Sequence, residues 1–298
     1  MTREEFLHFK YAEYFESYHR GHENFFKHPS TGRIAPFKMS DNIWYVGDRL
    51  VCVHLIDTGD GLVLIDSGYL GCEHLLVDSI WRAGFDPKNV KWIIHSHGHS
   101  DHFGASSEFK RMYGTRLAIS RVDLESLRDY PHRAHINSTC HPYATIPEFD
   151  KGLEDGEVFE LGNMKMRCIL TPGHTIGVMT YIFNTTVDGR ECVAATFGGA
   201  GLGAITLPHI CYNEFPSNLP EMMLESIDRV IDERVDLVLG NHPGNNNVIG
   251  NREKQLLEGG NPFINSNRWR TFLLNLKEQV KTKIEENRAM EKELEKYE

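Results

Sequence analysis

The chain of 298 residues contains no apolar run approaching the roughly 18 residues that cross a bilayer, which excludes a membrane-spanning helix. It also lacks any C-x-x-C pair. Six cysteines, at 52, 72, 140, 168, 192 and 211, are scattered in a way that suits neither a disulfide scaffold nor a cysteine-based zinc site. Most of them read as buried apolar fillers in a reducing compartment. Positive charge is in deficit: 32 Lys and Arg against 42 Asp and Glu leave a net charge of −10, the wrong sign for gripping a phosphate backbone. Nucleic acid is therefore disfavoured as the main ligand, though the balance leaves room for a local basic pocket. No basic segment followed by an apolar stretch opens the chain, so the expectation is a cytoplasmic protein. What the sequence has is a hydrophobic fraction of 40%, ample for a core, and sixteen histidines.

Residues 1–35 read as a short amphipathic helix followed by an aromatic arm, through Phe6, Phe9, Tyr11, Tyr14, Phe15, Tyr18, Phe25 and Phe26. A main domain is expected over 36–260. It opens with a β-meander, Asn42 to Val46, Leu50 to Ile56 and Gly61 to Ile65, joined at Gly47-Asp48 and Thr58-Gly-Asp-Gly61. Helix (Gly71 to Ala83), buried strand (Val90 to Ile94), helix (Phe103 to Tyr113), strand (Arg116 to Ile119) and helix (Val122 to Arg128) follow. The segment 130–156, broken by Pro131, Pro142 and Pro147, reads as irregular. Strands return at Glu157 to Phe159, Lys165 to Leu170, Val178 to Asn184 and Glu191 to Thr196, then a helix (Pro220 to Glu233) and the apolar run Val235 to Leu239. Residues 261–298 read as a long, charge-mixed helix, a candidate contact for a homodimer through the terminal helices. The order suits an α/β fold, a four-layer αββα sandwich of two sheets flanked by helices.

The chemistry is concentrated after Val90 to Ile94, in His95-Ser-His-Gly-His-Ser-Asp-His102. His97, His99, Asp101 and His102 put four potential metal ligands within six residues, on a polar loop at the end of a buried strand. Two histidines at i, i+2 can turn to one ion, while Asp101 and His102 can face a second. Paired ions activate water and polarise a substrate oxygen.

The motif H-x-H-x-D-H at His97 to His102 resembles the signature of the metallo-β-lactamase superfamily. Thr171-Pro-Gly-His174-Thr175 resembles the loop that supplies its third histidine, Asn241-His242-Pro243 its last ligand, and Leu64-Ile-Asp66-Ser-Gly68 the strand end that braces the metal loop. The resemblance covers about residues 37 to 245 and implies two zinc ions: His97, His99 and His174 for the first, Asp101, His102 and His242 for the second. It implies further that a water or hydroxide between the ions attacks a carbonyl, with Asp101 orienting it and Asp66 fixing the loop. Many hydrolases of the superfamily carry an aspartate that bridges both metals; here that region is Ala194-Ala-Thr-Phe-Gly-Gly-Ala-Gly201, without an acid. This departure, with Asp41-Asn-Ile-Trp-Tyr-Val-Gly47 and Asp60-Gly-Leu-Val-Leu-Ile-Asp66, most resembles the third subclass of metallo-β-lactamases. Without the bridge, the second ion is expected to bind less tightly. His99 stands where flavodiiron proteins carry a glutamate, which argues against an iron redox centre.

The expected function is therefore zinc-dependent hydrolysis of a small molecule, β-lactamase-like, at an amide bond. Two readings stand beside it: an intracellular lactonase or thioesterase that lacks the bridge, and a non-catalytic metal-binding scaffold. Of the remaining histidines, His95 reads as packed, His132, His135 and His141 as solvated loop residues, and His22 and His28 as part of a lid, core or dimer contact. Gly198, Gly199, Gly201 and Gly203 read as a close backbone approach or tight turn. Tyr212 and Asn213 are candidates for binding a carbonyl.

Overall fold

A computed structural model describes residues 2–136 and 145–297. His141 and Cys140 lie outside the described residues. β1 (Phe37–Lys38), a strand beyond the expected three, pairs at the edge with β2 (Ile43–Tyr45), which with β3 (His54–Asp57) and β4 (Leu62–Ile65) forms the expected antiparallel meander. β5 (Val90–Ile94), β6 (Arg116–Ser120) and β7 (Lys151–Leu153) then join in parallel, completing a seven-stranded sheet in sequential order. Parallel neighbours need crossovers, and α2 (Glu73–Arg82), α3 (Ser106–Tyr113) and α4 (Arg121–Asp129) lie between them in the chain. The second sheet runs β12-β11-β10-β9-β8, from β8 (Val158–Leu161), β9 (Met164–Leu170), β10 (Met179–Val187), β11 (Arg190–Phe197) and β12 (Leu237–Leu239).

Period-two alternation assigns side chains to layers. Val63, Ile65, Trp92 and Ile94 of the first sheet meet Met166, Cys168, Met179, Tyr181 and Phe183 of the second in a central core. Leu62, Leu64 and Ile93 point the other way, into Leu76, Ile80 and Phe109 of α2 and α3. Ile182, Ala195 and Val238 leave the second sheet's far face for α6 (Leu219–Val230) and α8 (Arg268–Leu294). Strands buried on both faces account for the near-continuous apolar runs at Leu62–Ile65 and Val90–Ile94. The architecture is the αββα sandwich expected from the element order. In α8, Trp269, Leu273, Leu276, Val280 and Ile284 recur at helical spacing and pack in this outer cluster, and Trp269 Nε1 donates to the Val230 carbonyl at 2.8 Å.

The N-terminal segment differs from the expectation of a short helix and an arm. α1 runs without interruption over Arg3–Lys27, because Thr2 and Glu5 close a capping box at its start and no proline or turn signal stops it before Pro29. Its aromatic residues are therefore helix faces: Phe25 and Phe26 pack on Val51, Tyr69 and Cys72, and Leu7 on Leu207 and Leu294. Two helices carry weak signals in the sequence, α5 (Leu207–Tyr212) and α7 (Val248–Glu258). Cys52, Cys72 and Cys168 are buried as expected, but Cys192 is half-buried, near the exposed start of β11, and Cys211 is exposed, near the end of α5. No helix among the described residues is long and apolar enough to cross a membrane.

Candidate metal centre

The ends of β4, β5, β9, β11 and β12 meet at one edge of the sandwich. The Met179 N–H donates to the Ser96 carbonyl and the Cys52 N–H to the Asn241 carbonyl, at 2.9 Å each, tying the two sheets together there. The loops that leave these strand ends bring two triads into place, His97 with His99 and His174, and Asp101 with His102 and His242. Within each triad the donor atoms lie within 4.8 Å of one another.

Backbone and carboxylate acceptors fix the tautomers. His97 Nδ1–H donates to the Gly198 carbonyl at 2.8 Å, His174 Nδ1–H to Gly201 at 2.7 Å and His242 Nδ1–H to Leu50 at 2.7 Å. His102 Nδ1–H donates to Asp66 Oδ2 at 2.8 Å. Each proton is thereby held away from the centre, and each Nε2 lone pair is left facing it. His99 is reversed: its Nδ1 faces His97 Nε2 at 3.1 Å. His102 Nε2 is buried and has no hydrogen-bond partner, an acceptor waiting for a cation. Three imidazoles, and two imidazoles with a carboxylate, are donor sets of the kind that zinc takes. The residues present thus fit the metal that the donor chemistry implies.

The electrostatics agree. Burial, then the neighbouring imidazoles, push His97 and His99 well below the usual histidine range, and burial lowers His174 to about 4, so all three are neutral ligands. Burial would raise Asp101, but His102, His242 and His99 outweigh it and hold the carboxyl well below the usual carboxylate range. Burial would lower His102, yet Asp101 and Asp66 on either side raise it to about 10. The second triad is therefore a field that draws positive charge, which a metal ion on His102 Nε2 would answer as a proton does. Asp101 Oδ2 lies 3.4 Å from His102 Nε2 and 3.5 Å from His242 Nε2. Among the described residues no further carboxylate joins the triads, and β11 ends at Phe197 followed by Gly198 and Gly199.

Two buried aspartates clamp the loops. Asp66 follows β4 with a φ of 62°, a left-handed conformation that turns its carboxylate under the metal loop. It accepts from Ser96 N at 2.7 Å, Ser96 Oγ at 2.8 Å and His102 Nδ1. Asp123 escaped the sequence reading. Its Oδ2 accepts from the Gly98 N–H and from Thr175 Oγ1, both at 2.8 Å, so it joins the first two ligand loops. Burial pushes its carboxyl up to about 6, although Thr175, Gly98 and Gly177 hydrogen-bond to it. The signal available was a helix N-cap, Ser120 accepting from the Asp123 N–H, which says nothing of where the aspartate points.

The glycine stretch serves this centre: a Cβ on Gly199 would stand 2.7 Å from His174 Cβ, and one on Gly201 2.7 Å from the His174 ring. His95 is packed as expected, with Nδ1–H donating to Ala118 O at 2.8 Å and Nε2 accepting from Ser106 Oγ at 2.7 Å. His135 is a correction. It is not a solvated loop residue; at a φ of 57° its ring stacks on His99 with 4.3 Å between centroids. Tyr212 stacks on Tyr11 at 3.8 Å, and Asn213 is buried behind it.

Above the triads is a cavity of about 220 Å³. Its floor is His99, Asp101, His174 and His242, and its roof is Tyr14, Phe15 and Tyr18 of α1 with Phe26 and Tyr69. Tyr18 and Tyr69 share a hydroxyl hydrogen bond, and a Cβ on Gly203 would meet the Tyr14 hydroxyl. His22 instead turns its Nδ1 back to the Tyr18 carbonyl, and His28 ends the helix.

Comparison with known proteins gives the same result. The metallo-β-lactamase FEZ-1 of Legionella gormanii is similar with a TM-score of 0.77 and 27% identity, over 86% of this chain and 98% of that one. BJP-1, a subclass B3 metallo-β-lactamase of Bradyrhizobium japonicum, shares the fold with a TM-score of 0.78 and 23% identity, over 87% and 97% of the two chains. A hydroxyacylglutathione hydrolase of Acidiphilium cryptum is 29% identical over 127 residues, 43% of this chain and 42% of that protein. The chain spans about half or less of the length of the curated relatives it matches. Residues 46–187 match the family model of the metallo-β-lactamase superfamily, and the shared fold and the paired donor sets agree with that match.

Proposed function

We propose that the chain is a dinuclear zinc hydrolase that opens the amide of a β-lactam or a closely related small acyl compound. The observation that carries this reading is the pair of triads, His97, His99, His174 and Asp101, His102, His242, with their lone pairs turned inward and, among the described residues, no bridging acid. Zinc, when bound, supplies an activated water and a Lewis acid for the carbonyl oxygen. The residues do the rest. Asp101, held ionised beside two imidazoles, orients the attacking water and can accept its proton on a carboxylate oxygen. Asp66 and Asp123 keep the ligand loops in register, and α1 covers the reacting groups and excludes bulk water. The free cysteines support a reducing, cytoplasmic setting.

A second reading, hydrolysis of a lactone or thioester, is favoured by the roof. About 220 Å³ under α1 suits a compact reacting group better than a bulky fused ring system. Turnover of a chromogenic cephalosporin by zinc-loaded protein, beside the same sample stripped with chelator, separates the readings. Efficient chelator-sensitive turnover is the expected result. Zinc-loaded protein that leaves the cephalosporin intact but opens lactones or thioesters selects the second reading. Failure to bind zinc, with a His97→Ala, His99→Ala variant matching wild type on every substrate, would sink both.

A further inference from the structure

One wall of the cavity is built of imidazoles with nitrogen atoms to spare. His99 directs Nδ1 at His97, and its Nε2 is buried without a partner; a metal held on Nδ1 would leave the ring proton on that Nε2. His135 stacks on His99, and the ring of His209 stands 5.2 Å beyond His135. His209 is 3% exposed and lines the same cavity as Asp101 and His174, yet neither its Nδ1 nor its Nε2 has a hydrogen-bond partner. It belongs to neither triad.

A buried polar atom left unpaired is costly, and His209 carries two. Its placement is firm. It sits in α5, where its carbonyl accepts from both the N–H and Nδ2 of Asn213, at 3.1 and 2.9 Å. Phe215 lies parallel to the ring at 6.1 Å, and Tyr11 of α1 flanks it at 5.6 Å. A ring held this firmly at the cavity wall keeps its nitrogens for something that arrives. The cavity also leads somewhere. Phe15 and His135 line both it and a second cavity of about 660 Å³, bordered by Tyr11, His19, Arg20, His132 and Tyr212. An arm attached to the reacting group can run along the imidazole wall, past His135, into that outer space.

We propose that His209 is a specificity-determining residue: it hydrogen-bonds an amide carried by the substrate on an arm beside its scissile carbonyl. A neutral imidazole offers one donor and one acceptor, the complement of a secondary amide, and with its Nδ1 given to a metal His99 would add an Nε2–H donor on the same wall. The aromatic roof of Tyr14 and Phe15 covers the arm's other side. This inference rests on the hydrolase reading, which places the scissile carbonyl at the triads.

The test uses two thiols that would anchor on the metals and differ only in the arm, ethanethiol and N-acetylcysteamine, titrated calorimetrically into the zinc-loaded full chain. Wild type is expected to bind the amide-bearing thiol about tenfold more tightly. In His209→Phe the ratio falls to about one, and His209→Gln, which keeps a donor and an acceptor, restores most of it. In wild type the ring nitrogen resonances of His209 move on adding N-acetylcysteamine and stay in place with ethanethiol, a reading that survives a failure of either variant to fold. Equal affinities in wild type, or a preference that persists in His209→Phe, overturn the proposal and leave the hydrolase reading intact. Binding of neither thiol by zinc-loaded protein overturns both.

Discussion

In the floor of the cavity, four of the five triad histidines are pinned through Nδ1 by a carbonyl or carboxylate between 2.7 and 2.8 Å away, and the loops are tied in turn by Asp66 and Asp123. In the roof, Tyr14, Phe15 and Tyr18 are held by apolar packing of one helix and by one hydroxyl pair. The floor is a polar lattice in which each atom has an assigned direction; the roof is a rigid rod resting on a few buried side chains. Directional bonds fix donor positions tightly, as metal chemistry demands. Packing tolerates exchange of one aromatic for another, so the roof can change what fits beneath it without disturbing the ligands.

If this division holds, substitutions in the floor should damage all substrates alike and those in the roof should re-rank them. The largest effect is expected from His97→Ala with His99→Ala: the first site loses two of three donors, zinc content falls by one ion per chain by elemental analysis, and turnover drops to background. Asp101→Asn should follow, with kcat lower by about 10²–10⁴-fold, since the second triad loses its charge and the water its acceptor. Asp123→Ala leaves the Gly98 N–H and Thr175 Oγ1 without their acceptor, so zinc affinity should weaken by about 10–100-fold in competition with a chelating dye. The same variant should lose about 1–3 kcal/mol in urea unfolding. The smallest effect belongs to the roof. Tyr14→Ala with Phe15→Ala should shift kcat/KM by about two- to tenfold, upward for bulky substrates and downward for compact ones. A uniform loss across substrates would break the comparison.

The floor was legible because its donors are packed into short motifs: His97 to His102 lie on one loop, and Pro172-Gly-His174 and Asn241-His242 each follow an apolar strand. Asp66 was legible for the same reason, at the end of β4. What escaped depends on long-range neighbours. Tyr14, Phe15 and Tyr18 sit in a helix with eight aromatic residues, and nothing local tells which of them face a core and which a cavity. Asp123 looks like an ordinary first-turn acid, and only the fold brings Gly98 and Thr175 to it. His135 was misread because its segment is polar and irregular, while its positive φ and its stacking on His99 are set by tertiary contact. His209 sits in a six-residue helix whose start follows a glycine-rich stretch, a context that reads as loop.

Each triad draws donors from both halves of the chain: His97 and His99 wait for His174, and Asp101 and His102 for His242. The first group emerges from the ribosome well before the second, after only the seven-stranded sheet's leading strands have been made. A nascent chain therefore presents incomplete chelates through most of its synthesis, and the full pair of sites closes only once β12 has docked beside β11 and placed His242. On the hydrolase reading, the loading of both ions would thus be timed to the end of assembly, and a truncated product that stops short of β12 would lack a donor of the second triad.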